Sequence, residues 1–310
     1  MLVIKLGALG DFLLALGPMQ AIRRRHESAR ITLLTREAYR DLATASGLFD
    51  EIWIDPAPRY NPVTWLALRA RLRGGRFDRV YDLQTSDRSA SYFRLLGGAQ
   101  GPEWSGRVPG CSHRHAYVSP SPLHTVERQR DQLAIAGIDP VPLSDLGFLD
   151  ADIAARLPRR PFALLIPGAS SGRPAKRWPV ERFAELAARL ADGGLGTAVA
   201  GTAGEGGLAH AIQERAPEAL DLTGATDLAE LAAFARAARL VVGNDTGPTH
   251  LAALAGVPTL ALFSDDSDPA RTGPRGPHTR FQQRANLADL ETETVLAEIG
   301  DWRTSDPRGG

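Results

Sequence analysis

The sequence is short of lysine, cysteine and aromatic side chains. Only Lys5 and Lys176 stand among its 36 basic residues; the rest are arginine. Cys111 is the single cysteine, which excludes an internal disulfide and any cysteine-rich zinc site. Its surroundings, Pro109-Gly110-Cys111-Ser112, carry no nucleophile signature and read as an inert loop thiol. No apolar run approaches the roughly 18–20 residues that cross a bilayer. The stretch from Met1 to Gly7 lacks the basic region and long apolar core of a signal peptide, so the cytoplasm is the expected compartment. Net charge is zero, with 36 acidic residues against 36 basic ones, which speaks against a nucleic-acid binder. The seven histidines are scattered, with no H-x-x-x-H pattern, and no metal is expected.

What is present is an ordinary globular composition, 43% hydrophobic and 23% charged over 310 residues, long enough for two domains. Short apolar strands alternate with helical patterns, the signature of a parallel sheet covered by helices. Strands are expected at Leu2–Leu6, Ile31–Leu34, Glu51–Ile54 and Arg79–Leu83, with a helix from about Phe12 to Arg25. Pro140, Pro142, Pro158 and Pro161 mark an aperiodic stretch from 139 to 161 that reads as a linker. The pattern then restarts with strands at Phe162–Ile166, Thr197–Ala200, Leu240–Gly243 and Thr259–Phe263, where it is expected to end. The division is therefore 1–150 and 151–310, with the last helix expected to pack back on the first domain. Basic residues cluster at Arg23–Arg25 and at Arg69, Arg71, Arg73, Arg76 and Arg79. They are either solvated helix ends, favoured there by the dipole, or a basic face toward an anionic acceptor or membrane surface.

Ligands in such sheets sit beyond the carboxyl ends of strands, so the loops there carry the candidates. Gly7-Ala8-Leu9-Gly10-Asp11 leaves the first strand and enters a helix. It is not the G-x-G-x-x-G dinucleotide fingerprint, and an aspartate at the helix entrance would repel a pyrophosphate. Asp11 is either a helix N-cap or a general base able to deprotonate a sugar hydroxyl. The loop from Pro167 to Pro179 holds small residues, hydroxyls and three cations around Gly172, as a phosphate-binding turn requires. Glu205, in Gly201-Thr202-Ala203-Gly204-Glu205, either accepts from ribose hydroxyls or complements a helix dipole. In Gly243-Asn244-Asp245-Thr246-Gly247-Pro248-Thr249-His250, Thr246 and Gly247 can offer donors to phosphate oxygens at a helix start, with His250 in the first turn.

Together these loops resemble glycosyltransferase family 9, the lipopolysaccharide heptosyltransferases. The matching pieces are Leu6 to Asp11, Asp82-Leu83-Gln84 with Ser89, Gly168-Ala169-Ser170, Lys176-Arg177-Trp178-Pro179 and Asp245 to Ala253, in that order. The chain departs from the family in having Gly7 and Ala8 where many members carry serines. The resemblance implies a GT-B fold, two Rossmann-like domains with mostly parallel sheets facing a central cleft. The first would be the acceptor side and the second the nucleotide-sugar side. It implies inverting, metal-independent transfer of a sugar, heptose from ADP-heptose, to a glycolipid such as lipopolysaccharide core at the inner membrane surface. Asp11 would be the base, and Lys176 would balance donor phosphate charge. Ala169, Ser170, Glu205, Asp245, Thr246, Gly247 and His250 would hold the donor; Gly10 and Gln84 would face the acceptor. The nucleotide-sugar is then a substrate and no cofactor is called for. Two other readings remain open: a nucleotide-sugar epimerase of the same architecture, and a non-catalytic nucleotide-sugar-binding protein.

Overall fold

The computed structural model describes residues 1–56, 61–117, 121–169 and 172–304. The chain divides into two compact units, Met1–Ser144 and Asp145–Gly310.

The first unit is built on six parallel strands: β1 (Leu2–Ile4), β2 (Thr32–Thr35), β3 (Glu51–Ile54), β4 (Arg79–Asp82), β5 (Glu103–Gly106) and β6 (His113–Arg114). Their order across the sheet is β3-β2-β1-β4-β5-β6. β1 and β2 are buried along their whole length, as strands covered on both faces must be, and so read as unbroken apolar runs. The first helix, Leu9–Arg25, begins before Phe12, the start its apolar stripe predicts, because Leu9 and Gly10 already take helical geometry. Arg23 at its end belongs to the structural reading of the basic clusters. It pairs with Asp50 at 2.7 Å and donates to the Leu48 carbonyl at 2.7 Å. Arg79 likewise pairs with Glu103 across β4 and β5.

The second unit repeats the plan with β7 (Phe162–Ile166), β8 (Gly196–Val199), β9 (Leu220–Asp221), β10 (Leu240–Asn244), β11 (Thr259–Ser264) and β12 (Thr279–Arg284). The order is β12-β11-β10-β7-β8-β9, again all parallel. Phe183, Leu186 and Leu190 from the helix Val180–Asp192 pack with Trp178 in the core over β7. The strand run does not stop at Phe263. β12 adds an edge strand whose sequence, Thr-Arg-Phe-Gln-Gln-Arg, is polar because only one long edge of it is paired and its side chains are half in water. The last helix is expected to pack back on the first domain. Instead, Val295 of the helix Thr292–Glu298, Ile299 after it and Trp302 of the last helix, Gly300–Thr304, join the core of the second unit.

In each sheet the first strand made is central. The chain runs outward on one side through β1-β2-β3 or β7-β8-β9, then crosses back to lay the next strand against the other side. The strand order therefore reverses between β1 and β4 and between β7 and β10. Loops leaving the carboxyl ends of those pairs diverge to opposite faces and leave a crevice, the place where open parallel sheets bind ligands.

Candidate functional site

At the reversal point of the second unit, Asn244 ends β10 and Thr246 forms the N-cap of the helix Gly247–Leu254. Asp245 lies between them with its amide on the Leu262 carbonyl at 3.1 Å. Its carboxylate gathers three side chains. Lys176 donates from Nζ to Oδ2 at 2.5 Å, Ser267 donates from Oγ to the same oxygen at 2.7 Å, and His250 Nε2 stands 3.6 Å from Oδ1. Burial alone would raise the affinity of this carboxyl for a proton. The contacts with His250, Lys176 and Ser267 outweigh it and hold the group well below the usual carboxylate range. Lys176 is itself only 9% exposed. An ammonium has three donors, and the two not taken by Asp245 have no partner among the described residues. His250 Nδ1 is buried without a partner as well.

The loop after β7 is tied down by a residue to which no role had been given. Asn244 is fully buried; its Nδ2 donates to the Pro167 carbonyl at 2.8 Å and its Oδ1 accepts from the Trp178 amide at 3.0 Å. One side chain thus clips both ends of the cationic loop to the end of β10. Trp178 is anchored further by Nε1 donating to the Leu290 carbonyl at 2.9 Å. Arg177 donates to the Ala169 carbonyl at 3.1 Å, closing the loop on itself. Ser170 and Ser171 lie outside the described residues.

Glu205 follows β8, the other neighbour of β7. One oxygen of its carboxylate accepts from the Thr202 amide at 2.7 Å and the Thr202 hydroxyl at 3.0 Å, a capping box at the helix entrance. The carboxylate leans over the end of β7, where a Cβ on Gly168 would overlap it. A side chain at Gly168 would push the Glu205 carboxylate away from this position. Thr246 and Gly247 stand beside Asp245 with their amides at the helix start, where the dipole favours an anion. Lys176, Ala169, Glu205, Asp245, Thr246, Gly247 and His250 thus stand at the carboxyl ends of three adjacent strands, β10, β7 and β8.

The reversal point of the first unit holds a second polar group. Asp11 is in the first turn of the helix Leu9–Arg25, but the N-cap is Ala8 and no side chain caps this end. The capping reading of Asp11 is thereby removed. Below it, Lys5 is 4% exposed and donates to the Leu83 carbonyl at 3.3 Å. Burial lowers the Lys5 pKa, while the negative charges of Asp11 and Asp82 oppose that fall. Burial also pushes the Asp82 carboxyl up to about 6, against hydrogen bonds from Thr85, Ser89 and Gln84 and the charge of Lys5. Gln84 accepts from the Leu6 amide at 2.8 Å, joining the loops after β4 and β1. Gly10 is buried in the helix's first turn. Gly7 has φ of 109°, and a side chain there would overlap the ring of Tyr39, which fills the space a serine would need. Cys111 is half-buried, and burial pushes its thiol up, as suits an unreactive residue. Among the described residues no cluster of three or more His, Cys, Asp or Glu side chains could hold a metal ion.

The model of Glycosyltransferase family 9 (heptosyltransferase) matches residues 65–296. That span holds Gln84, Lys176, Glu205 and Asp245–His250, and begins after Asp11. Lipopolysaccharide heptosyltransferase 1 of Pseudomonas aeruginosa is 33% identical over 224 residues, 68% of this chain and 61% of the relative. Lipooligosaccharide heptosyltransferase 2 of Haemophilus influenzae is 37% identical over 163 residues, 50% of this chain and 43% of the relative. The chain thus spans less than two thirds of either relative. Among solved structures, the Escherichia coli ADP-heptose lps heptosyltransferase II shares the fold, with a TM-score of 0.77 at 24% identity over 97% of this chain and 98% of that one.

Proposed function

The chain belongs to glycosyltransferase family 9, and from that premise we propose that it moves heptose from ADP-heptose to a glycolipid of the lipopolysaccharide core, with inversion and without a metal. The observation that carries this reading is the buried Lys176–Asp245 pair at the start of the helix Gly247–Leu254. It presents a fixed ammonium with two spare donors beside helix-start amides, a combination suited to a diphosphate. Transfer breaks the bond between the anomeric carbon and the diphosphate oxygen and forms one to the acceptor hydroxyl. The proton of that hydroxyl passes to the Asp11 carboxylate. The negative charge growing on the departing nucleoside diphosphate is met by Lys176 and the amides of Thr246 and Gly247. In this scheme Ala169 and Ser170 line the phosphate loop, and Glu205 accepts from the ribose with the carboxylate oxygen that Thr202 leaves free. His250 holds Asp245 in place, and Gly10 and Gln84 shape the acceptor side. The acceptor is lipid-linked, so the protein works peripherally at the inner face of the cytoplasmic membrane.

The test is turnover with ADP-heptose and a deacylated lipopolysaccharide-core acceptor, with and without a chelator. ADP should appear only when acceptor is present, the new linkage should have the inverted anomeric configuration, and the chelator should change nothing. Loss of turnover with the chelator would remove the metal-free mechanism. An epimerised nucleotide-sugar formed without acceptor would make the protein an epimerase, and donor binding without any product would make it a binding protein.

A further inference from the structure

The helix Pro62–Gly74 turns the wrong kind of face to water. Leu68 and Leu72 bury themselves in the core of the first unit, and Trp65 packs against the same core. On the far side Val63 is 71% exposed and Leu66 is 62% exposed, the two most exposed large hydrophobic residues among those described. Ala67 and Ala70 are exposed beside them. Positions 63, 66, 67 and 70 follow the helical period and form one stripe. A soluble helix places polar residues there, and this one places none.

The arginines take up the flanks. At about 100° per residue, Arg69 and Arg73 fall on one side of the stripe and Arg71 on the other. Arg73 donates to the Leu95 carbonyl at 2.9 Å and the Arg71 guanidinium lies 4.5 Å from the centre of the Trp53 ring. Arg69 has no side-chain partner among the described residues. Between Pro56 and Phe77 the sequence contains Arg59, Arg69, Arg71, Arg73 and Arg76 and not one Asp or Glu, in a chain whose net charge is zero overall. Scattered exposed apolar residues are ordinary. A continuous apolar stripe edged by cations on both sides, in a stretch without acids, matches a surface that is apolar inside and anionic outside.

We infer that this helix lies in the interface of an anionic lipid bilayer, with Val63 and Leu66 among the acyl chains and the arginines at the headgroup phosphates. The inference rests on the membrane-held acceptor proposed above, but not on the chemistry of transfer. Long arginine stems suit this position because they can lie along apolar surface while the guanidinium stays at the phosphate level. One short helix gives weak, reversible attachment, which lets the protein leave the membrane between acceptors.

Co-sedimentation of the full chain with vesicles tests it, using phosphatidylcholine alone and phosphatidylcholine with roughly one third phosphatidylglycerol. The protein should pellet with the second and not the first, and high salt should release it. Val63→Asp with Leu66→Asp, and separately Arg69→Glu, should each lower the bound fraction on the mixed vesicles, the double variant by roughly tenfold or more. Turnover of ADP-heptose with the deacylated acceptor should not change in either variant. Equal binding to both vesicles, no binding to either, or undiminished binding by the Val63/Leu66 variant overturns the inference. So does a dimer in solution that the Val63/Leu66 variant dissolves, since a second copy would then own the face. Failure of turnover with the soluble acceptor strikes the proposed function alone.

Discussion

Asp11 and Asp82 both carry carboxylates near the end of the first sheet, and their surroundings give them different work. Asp11 sits in a first helical turn that Ala8 caps, so its carboxylate is free of the duty that would otherwise explain it. On the proposed reading Asp11→Asn removes the base and little else. Turnover should fall about 10²–10⁴-fold while melting temperature and donor affinity stay near those of the parent. Kinetics and thermal melts on the one variant decide the matter, because an active Asp11→Asn protein takes Asp11 out of the mechanism. Asp82 is buried, and its folded pKa of about 6 lies above the 3.8 of an unperturbed aspartate. The folded state holds this proton more tightly than the unfolded chain does, so the residue costs stability as the pH rises from about 4 through about 6. Asp82→Asn keeps an oxygen for the Thr85 and Gln84 amides and carries no charge. Relative to the parent it should gain stability across that window, by on the order of 3 kcal/mol between acid and neutral pH. Denaturant titrations of both proteins at pH 4 and pH 7.5 measure the gain, and a pH-independent difference would show that burial does not shift Asp82.

Among the elements, the loop Pro167–Trp178 depends on a neighbour in the sheet rather than on its own sequence. Asn244→Ala would leave the Trp178 amide and the Pro167 carbonyl buried and unpaired, at a cost of about 2–4 kcal/mol. It would also free the loop that carries Lys176. The expected result is a lower melting temperature together with weaker donor binding. Retained donor affinity in a destabilised Asn244→Ala protein would separate the loop from the site. This clip also shows where the sequence stops being legible. The buried strands β1, β7, β10 and β11 announce themselves as apolar runs, and the loops after them can be found by position. Lys176 and Asp245 are each visible as a lone lysine and a polar turn, but they are 69 residues apart and nothing local says that they pair. Ser267 and Asn244 have ordinary polar side chains, and their roles follow from strand order, which periodicity does not encode. β12 and the two-residue strands β6 and β9 escape notice because edge pairing demands so little apolar character.

Across the whole molecule, one topology is used twice, and both groups of polar residues stand where strand order reverses. Pairing crosses that seam late: Leu2 meets Val80, and Ala163 meets Leu240. During vectorial synthesis, β1-β2-β3 and later β7-β8-β9 emerge as half-sheets with their innermost edge still open. β4 and β10 close that edge only when they have themselves left the ribosome, about midway through each unit. Asn244 is the last residue of β10, so the strand that closes the seam in the second unit also secures the cationic loop. A nascent chain released before residue 240 can hold Lys176 and Glu205 but has no carboxylate or helix start to fix them. On the proposed reading the unit therefore cannot display a working anion site until β10 has closed the seam, and ligand retention becomes a signal that synthesis has passed that crossover.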